Sequence, residues 1–156
     1  MNLKFRWLEP FQLVDGSPCR LTYMVAQGEE DRIPDGPGIY IFGRRHGAVF
    51  APLYVGQAGN LRSRVSFQLN NNRLMNSLQS APNGTRELLV GSFVAKQGQR
   101  TKPVLDIVER GLIKLALADG HEIVNKHGTR IRSHCVEMSG SRAARSWLPE
   151  RHMQFE

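Results

Sequence analysis

The sequence predicts an α+β fold built on a small, mainly antiparallel sheet. Three observations carry this. The β-like runs cluster toward the start of the chain and do not alternate with helices as βαβ units would. Two of them, Gly38–Phe42 and Phe50–Val55, flank a polar glycine-containing segment, which is the pattern of a hairpin. The 156 residues suffice for one domain with a real core and are too few for two ordinary ones, so a single domain over 1–156 is expected.

Leu3–Leu8 and Leu21–Ala26 read as short strands separated by the turn-rich Asp15-Gly-Ser-Pro. A polar acidic loop, Gln27–Arg32, leads into the turn Pro34-Asp-Gly-Pro-Gly38. The hairpin strands follow, joined by an extended loop. A turn centred near Gly47 would set Tyr40 and Tyr54 roughly opposite one another, and Pro52 marks the second strand as irregular or edge-exposed. Asn60 is a good N-cap for a helix over Leu61–Leu69. A short helix over Arg73–Gln79 ends at the breaker Ala81-Pro-Asn-Gly84. Leu88–Ala95 alternates loosely as a strand, and Lys96–Arg100 is a loop. Thr101 caps a long helix to about Ala118, closed by Asp119-Gly120. Asn125–Thr129 reads as a loop and Ile131–Met138 as a last strand or an extended tail. Ser139–Glu156 is basic, with no clear boundaries.

Charge points to a partner. The chain carries 21 Lys and Arg against 14 Asp and Glu, net +7, and 16 of the 21 are Arg. Up to Gly43 there are four basic and six acidic residues; from Arg44 onward there are 17 and eight. This lopsided excess is the footprint expected for a phosphate-rich partner, although basic charge also serves solubility. No apolar stretch approaches the length of a membrane span. Met1–Trp7 lacks the apolar run of a signal peptide, and Cys19 and Cys135 make neither a disulfide framework nor a zinc site. A reducing, cytoplasmic setting is the expectation; a delivered toxin would need a specialised export system.

Three features exceed what a fold requires. Glu109 has Leu105, Leu112 and Ile113 as helical neighbours, and a carboxylate in an apolar stripe is costly unless paired or bound to a cation. An arginine partner at the edge of the stripe is the plainer account, and Asp106 is read as stabilising the first turn of its helix. Tyr40 and Tyr54 each stand in a glycine-flanked frame. Gly56-Gln-Ala-Gly-Asn-Leu-Arg-Ser-Arg64 places a turn and two arginines at a helix N-terminus, which suits a phosphate, although the Gly-Lys-Ser/Thr ending of a P-loop is absent. The five histidines show no zinc-binding spacing, and Trp7 and Trp147 read as packing anchors.

Read together, Gly38-Ile-Tyr40, Tyr54-Val-Gly56-Gln-Ala-Gly-Asn-Leu-Arg-Ser-Arg64-Val65, Glu109-Arg-Gly-Leu-Ile-Lys114 and Asn125 resemble the GIY-YIG nuclease family, in its stand-alone bacterial form. The resemblance spans roughly Pro34–Gly128. It divides the chain into an N-terminal β extension (1–33), a catalytic core (34–128) and a basic C-terminal segment (129–156). The fold it implies is a small central antiparallel sheet flanked by helices. The activity it implies is hydrolysis of phosphodiester bonds in DNA with Mg²⁺, or Mn²⁺ in its place.

The resemblance makes Tyr40 and Tyr54 the motif tyrosines, Arg64 the motif arginine, Glu109 the metal ligand and Asn125 the motif asparagine. Gly56, Gln57, Arg62, Gln68, Arg73 and Lys114 become candidate nucleic-acid contacts. One glutamate can anchor one Mg²⁺, and no second carboxylate in the motif is placed to hold another metal, which favours a one-metal mechanism with a tyrosine-activated water. Either tyrosine could be the base. Asn125 could position a loop or touch phosphate. Three departures stand out. Thirteen residues separate Tyr40 from Tyr54, implying a longer hairpin loop. Gln68 stands where many members have His or Tyr, and Gln57 where some have Lys. The alternatives are a binding module or nuclease subunit with weakened catalysis. A homodimer or a protein partner would fit a chain with little room for a separate recognition module, and no membrane role is expected.

Overall fold

Runs rich in β-branched and aromatic residues form the strands of one sheet, and helical stretches cover both of its faces. The computed structural model describes residues 2–16, 23–125, 134–148 and 152–155. In chain order the strands are β1 (Asn2–Trp7), β2 (Phe11–Asp15), β3 (Tyr23–Val25), β4 (Gly38–His46), β5 (Val49–Ala58), β6 (Thr85–Phe93), β7 (His134–Gly140) and β8 (His152–Phe155). The helices are α1 (Leu61–Leu69), α2 (Asn72–Ser80) and α3 (Thr101–Ala118). The α+β expectation holds.

β6 is the organising strand. Along one edge it pairs antiparallel with β4, from Gly38↔Ser92 to Arg45↔Thr85. Along the other edge it pairs antiparallel with β1 near its end (Trp7↔Gly91) and with β2 near its middle (Phe11↔Leu88). The chain turns off β6 only at Leu8–Pro10, and even there the Leu8 amide bonds to the Val90 carbonyl at 3.0 Å. Beyond β1 lies β7, which runs parallel to it, and then β8; beyond β2 lies β3. β5 closes the opposite side by pairing with β4 alone.

Strand alternation sorts the core into two layers. Leu3, Phe5, Trp7, Ile39, Ile41 and Leu89 face α3, whose stripe of Val104, Leu105, Val108, Leu112, Ile113 and Ala116 packs on them. Tyr40, Phe42, Leu88 and Val90 face the other way, against Leu61, Val65 and Leu69 of α1 and Leu74, Met75 and Leu78 of α2. Trp7 is buried in the first layer, lies against Gly91, and donates its indole N–H to the sulfur of Met138.

Several expectations shift by a few residues for local reasons. β2 and β8 were not expected: each is short, and its partner strand is set by the sheet edge, not by its own pattern. The hairpin has no extended loop. Its strands continue to His46 and from Val49, and the turn is Gly47-Ala48, with Gly47 at φ +59°. Thr101 is the first residue of α3, not its cap, and Arg100 at the cap position makes no side-chain bond to the helix. The expected loop after Asn125, the first two residues of Leu21–Ala26 and the start of Ile131–Met138 lie outside the described residues. Among the described residues, no helix is long and apolar enough to cross a membrane.

Replacing Trp7 by Ala should lower the free energy of unfolding by about 3–5 kcal/mol, because the indole fills space between two strands and α3. Urea denaturation monitored by circular dichroism measures it.

Candidate functional site

The site begins with the register of β4 and β5. Tyr40 pairs across the strands with Gly56, and Phe42 with Tyr54. The two tyrosines are therefore diagonal neighbours and not directly opposite. The turn is displaced half a step from Gly47, and Leu53 is an extra residue between Tyr54 and Pro52, a bulge that shifts the pairing by one more. Both rings project to the α1 side and lie nearly parallel, at 19° with centroids 6.1 Å apart. Gly56 is required there: a Cβ on it would overlap the Tyr40 ring.

α1 supplies the next two groups. Its N-cap, Asn60, accepts a hydrogen bond from the Ser63 amide at 2.9 Å. Arg64 is exposed, with its guanidinium 5.9 Å from the Phe67 ring centre. One turn later Gln68 is almost wholly buried, at 5% exposure. Its amide N–H groups donate to the Tyr40 hydroxyl at 3.1 Å and the Tyr54 hydroxyl at 3.3 Å. Its carbonyl oxygen accepts from the Asn71 amide at 2.9 Å, and Asn71 caps α2 through the Leu74 N–H. A glutamine that the resemblance placed against nucleic acid instead ties the two tyrosines to the α1–α2 junction.

Burial and the neighbouring Tyr54 push the Tyr40 pKa well above the ordinary phenol value, against smaller opposing effects of the Gln68 amide and Arg64. Tyr40 holds its proton. Tyr54 is half-buried at the wall of the cleft.

The opposite wall is α3. Glu109 is half-buried and accepts from the Gln57 side-chain amide at 2.9 Å. The same Gln57 nitrogen donates to the Asp106 carboxylate, which also receives Lys102 at 3.2 Å. The Asp106 carboxylate, outside the motif, therefore shares a donor with Glu109, and Asp106 is not simply a first-turn stabiliser. Its i, i+3 spacing to Glu109 on one helix was the available signal. Burial works to raise the Asp106 pKa but is outweighed by the Gln57 amide, Lys102 and Arg110, which hold the carboxyl below its ordinary value.

These groups line a cleft of about 460 Å³ formed by Tyr40, Tyr54, Gln57, Arg64, Gln68 and Glu109, with Lys102 and Leu105 at its α3 side. Other expected residues lie elsewhere. Asn125 braces the strand behind the tyrosines: its side-chain N–H donates to the Val55 carbonyl at 2.5 Å and its oxygen accepts from the Val55 amide at 3.3 Å. Gly56 lies under the Tyr40 ring. Arg62 is engaged with the carbonyls of Ile33 and Asp31 and pairs with Asp35 at 2.8 Å, which anchors the loop before β4. Arg73 is exposed at the start of α2, and Lys114 is exposed on α3 beyond the cleft. Among the described residues, no three or more His, Cys, Asp or Glu side chains come together as a metal cluster. Comparison with protein-family models, curated proteins and solved structures finds no match.

Two measurements test this geometry. Gly56→Ala should cost about 1–3 kcal/mol of stability, since the new methyl must displace a buried ring. The Tyr40 proton gives a pH signature. Its folded-state pKa lies above the unfolded value of about 10, so its contribution is complete below about pH 10 and is lost as pH rises toward the folded value. Wild-type stability should therefore fall more steeply above about pH 10 than that of Tyr40→Phe, and equal slopes would contradict the assignment.

Proposed function

We propose that this chain is a divalent-metal-dependent endonuclease that hydrolyses phosphodiester bonds in DNA, a reading that rests on the GIY-YIG resemblance. The observation that carries it is the cleft itself: two phenols from the hairpin, a guanidinium from α1 and a carboxylate from α3 face one space. Such a set supplies the three needs of the reaction, namely a base for water, charge neutralisation on the phosphate and an anchor for a cation.

Roles follow from burial and contacts. Tyr54 is the assigned base, since burial holds the proton on Tyr40. Tyr40 packs against Tyr54 and fixes its ring, with Gln68 restraining both hydroxyls. Arg64 is exposed at the mouth, where it can turn from Phe67 to meet the phosphate. Glu109 would hold the cation, and Asp106 stands next to it. One or two carboxylates, with no sulfur or imidazole, form a hard-oxygen set that fits Mg²⁺ or Mn²⁺. Mg²⁺, when bound, supplies positive charge to the phosphoryl oxygens. Asn125 and Gly56 position the tyrosine strand and touch no substrate.

A second reading, a DNA-binding module or nuclease subunit with weakened catalysis, draws on Gln57, whose amide occupies Glu109 Oε2. Plasmid cleavage with Mg²⁺, Mn²⁺ or EDTA separates the two. Glu109→Ala should abolish metal-dependent nicking while sparing DNA binding, and Tyr54→Phe should slow it by about 10²–10⁴-fold. Full-rate cleavage by Glu109→Ala would remove the metal assignment, and no cleavage by the unaltered chain would favour the second reading.

A further inference from the structure

Phe67 is not explained by the fold. It is a large aromatic side chain 67% exposed on a helix whose apolar side is already supplied by Leu61, Val65 and Leu69. Ser63, Arg64 and Phe67 share one helical face by their i, i+3 and i+4 spacings. With Gly59 and Asn60 they line a groove of about 400 Å³. Gly59 and Arg64 also line the cleft, so groove and cleft are continuous.

We infer that this groove is a nucleobase subsite: it takes an unstacked base of a single-stranded segment on the Phe67 ring, with the adjoining phosphate at Arg64. This rests on the nuclease reading of the neighbouring cleft and names its substrate as a single strand or an unpaired end. The chemistry is specific to that occupant. An aromatic face accepts the π-face of any base, whereas in a duplex both faces of each base are already stacked. A cation beside the ring matches the alternation of phosphate and base along a strand. The positive excess of the chain from Arg44 onward favours a polyanion over an uncharged apolar partner.

The test is equilibrium binding in EDTA, where cleavage cannot interfere, of the full chain to dye-labelled oligothymidylate and to a hairpin duplex of equal phosphate number. Phe67→Ala should weaken oligothymidylate binding by about 5- to 150-fold and leave duplex binding within about twofold. Its salt slope should not change, because no phosphate contact is removed. Phe67→Trp should restore affinity, and its emission should be quenched by the oligonucleotide. Equal losses on both probes, no loss on oligothymidylate, or no oligothymidylate binding by the unaltered chain would overturn the inference. So would a change in sedimentation with unchanged binding, which would assign the face to a second copy of the chain. Because no step requires catalysis, a failed Glu109→Ala cleavage test would leave this result standing, and the reverse holds too.

Discussion

The Gln68 amide is the contact on which the arrangement of the cleft depends. Buried polar groups must find partners, and here one side chain satisfies two phenols and one helix-capping asparagine at once. Loss of such a donor leaves the Tyr40 hydroxyl buried without it, which costs on the order of 1–3 kcal/mol. The bond also fixes direction. It couples the β4–β5 hairpin to the corner where α1 meets α2, so strand register and helix position cannot change independently. Gly56 meets the same constraint from below by leaving room for the Tyr40 ring.

Net charge, read from composition, overstates the surface offered to a polyanion. Arg86 donates to the carbonyls of Leu78, Ala81, Pro82 and Gly84 and so closes the end of α2. Arg45 is largely buried against Glu87 and also bonds the Ala143 carbonyl and Ser146 hydroxyl, pinning the C-terminal segment to the hairpin. Arg62 ties down the loop before β4, and Arg44 bonds the Asn83 carbonyl. The forked guanidinium serves backbone carbonyls as well as phosphates. Arg64 differs in facing both the cleft and the groove.

Much of the fold was legible because its signals are local. Asn60 before Leu61 and the stripe on α3 each declare themselves within a few residues, and both helices appear where the pattern puts them. β2 and β8 were not legible because a short strand is defined by its neighbour, and the parallel pairing of β1 with β7 joins opposite ends of the chain. The diagonal placement of the tyrosines depended on one bulged residue, Leu53, which no spacing argument resolves. At the site, residue types pointed to Tyr40, Tyr54, Arg64 and Glu109 together. Sequence could not tell a side chain facing a ligand from one facing its own protein, and Gln57, Arg62 and Gln68 are the result.

Gln57 shows how that distinction shapes the acidic wall. Asp106 and Glu109 lie one turn apart on α3, and like charges at that spacing repel. A primary amide has two N–H donors, and Gln57 directs them to both carboxylates. It holds the pair without adding charge. Lys102 and Arg110 offset the charge of Asp106. A lysine at position 57 would instead bring a full positive charge between the two acids. Under the proposed reaction this matters, because a cation binds more strongly to a carboxylate pair that an amide has organised than to one that an ammonium has already neutralised. The glutamine orders the acidic wall without adding positive charge of its own, which under the proposed reaction leaves Glu109 able to attract a hard divalent cation.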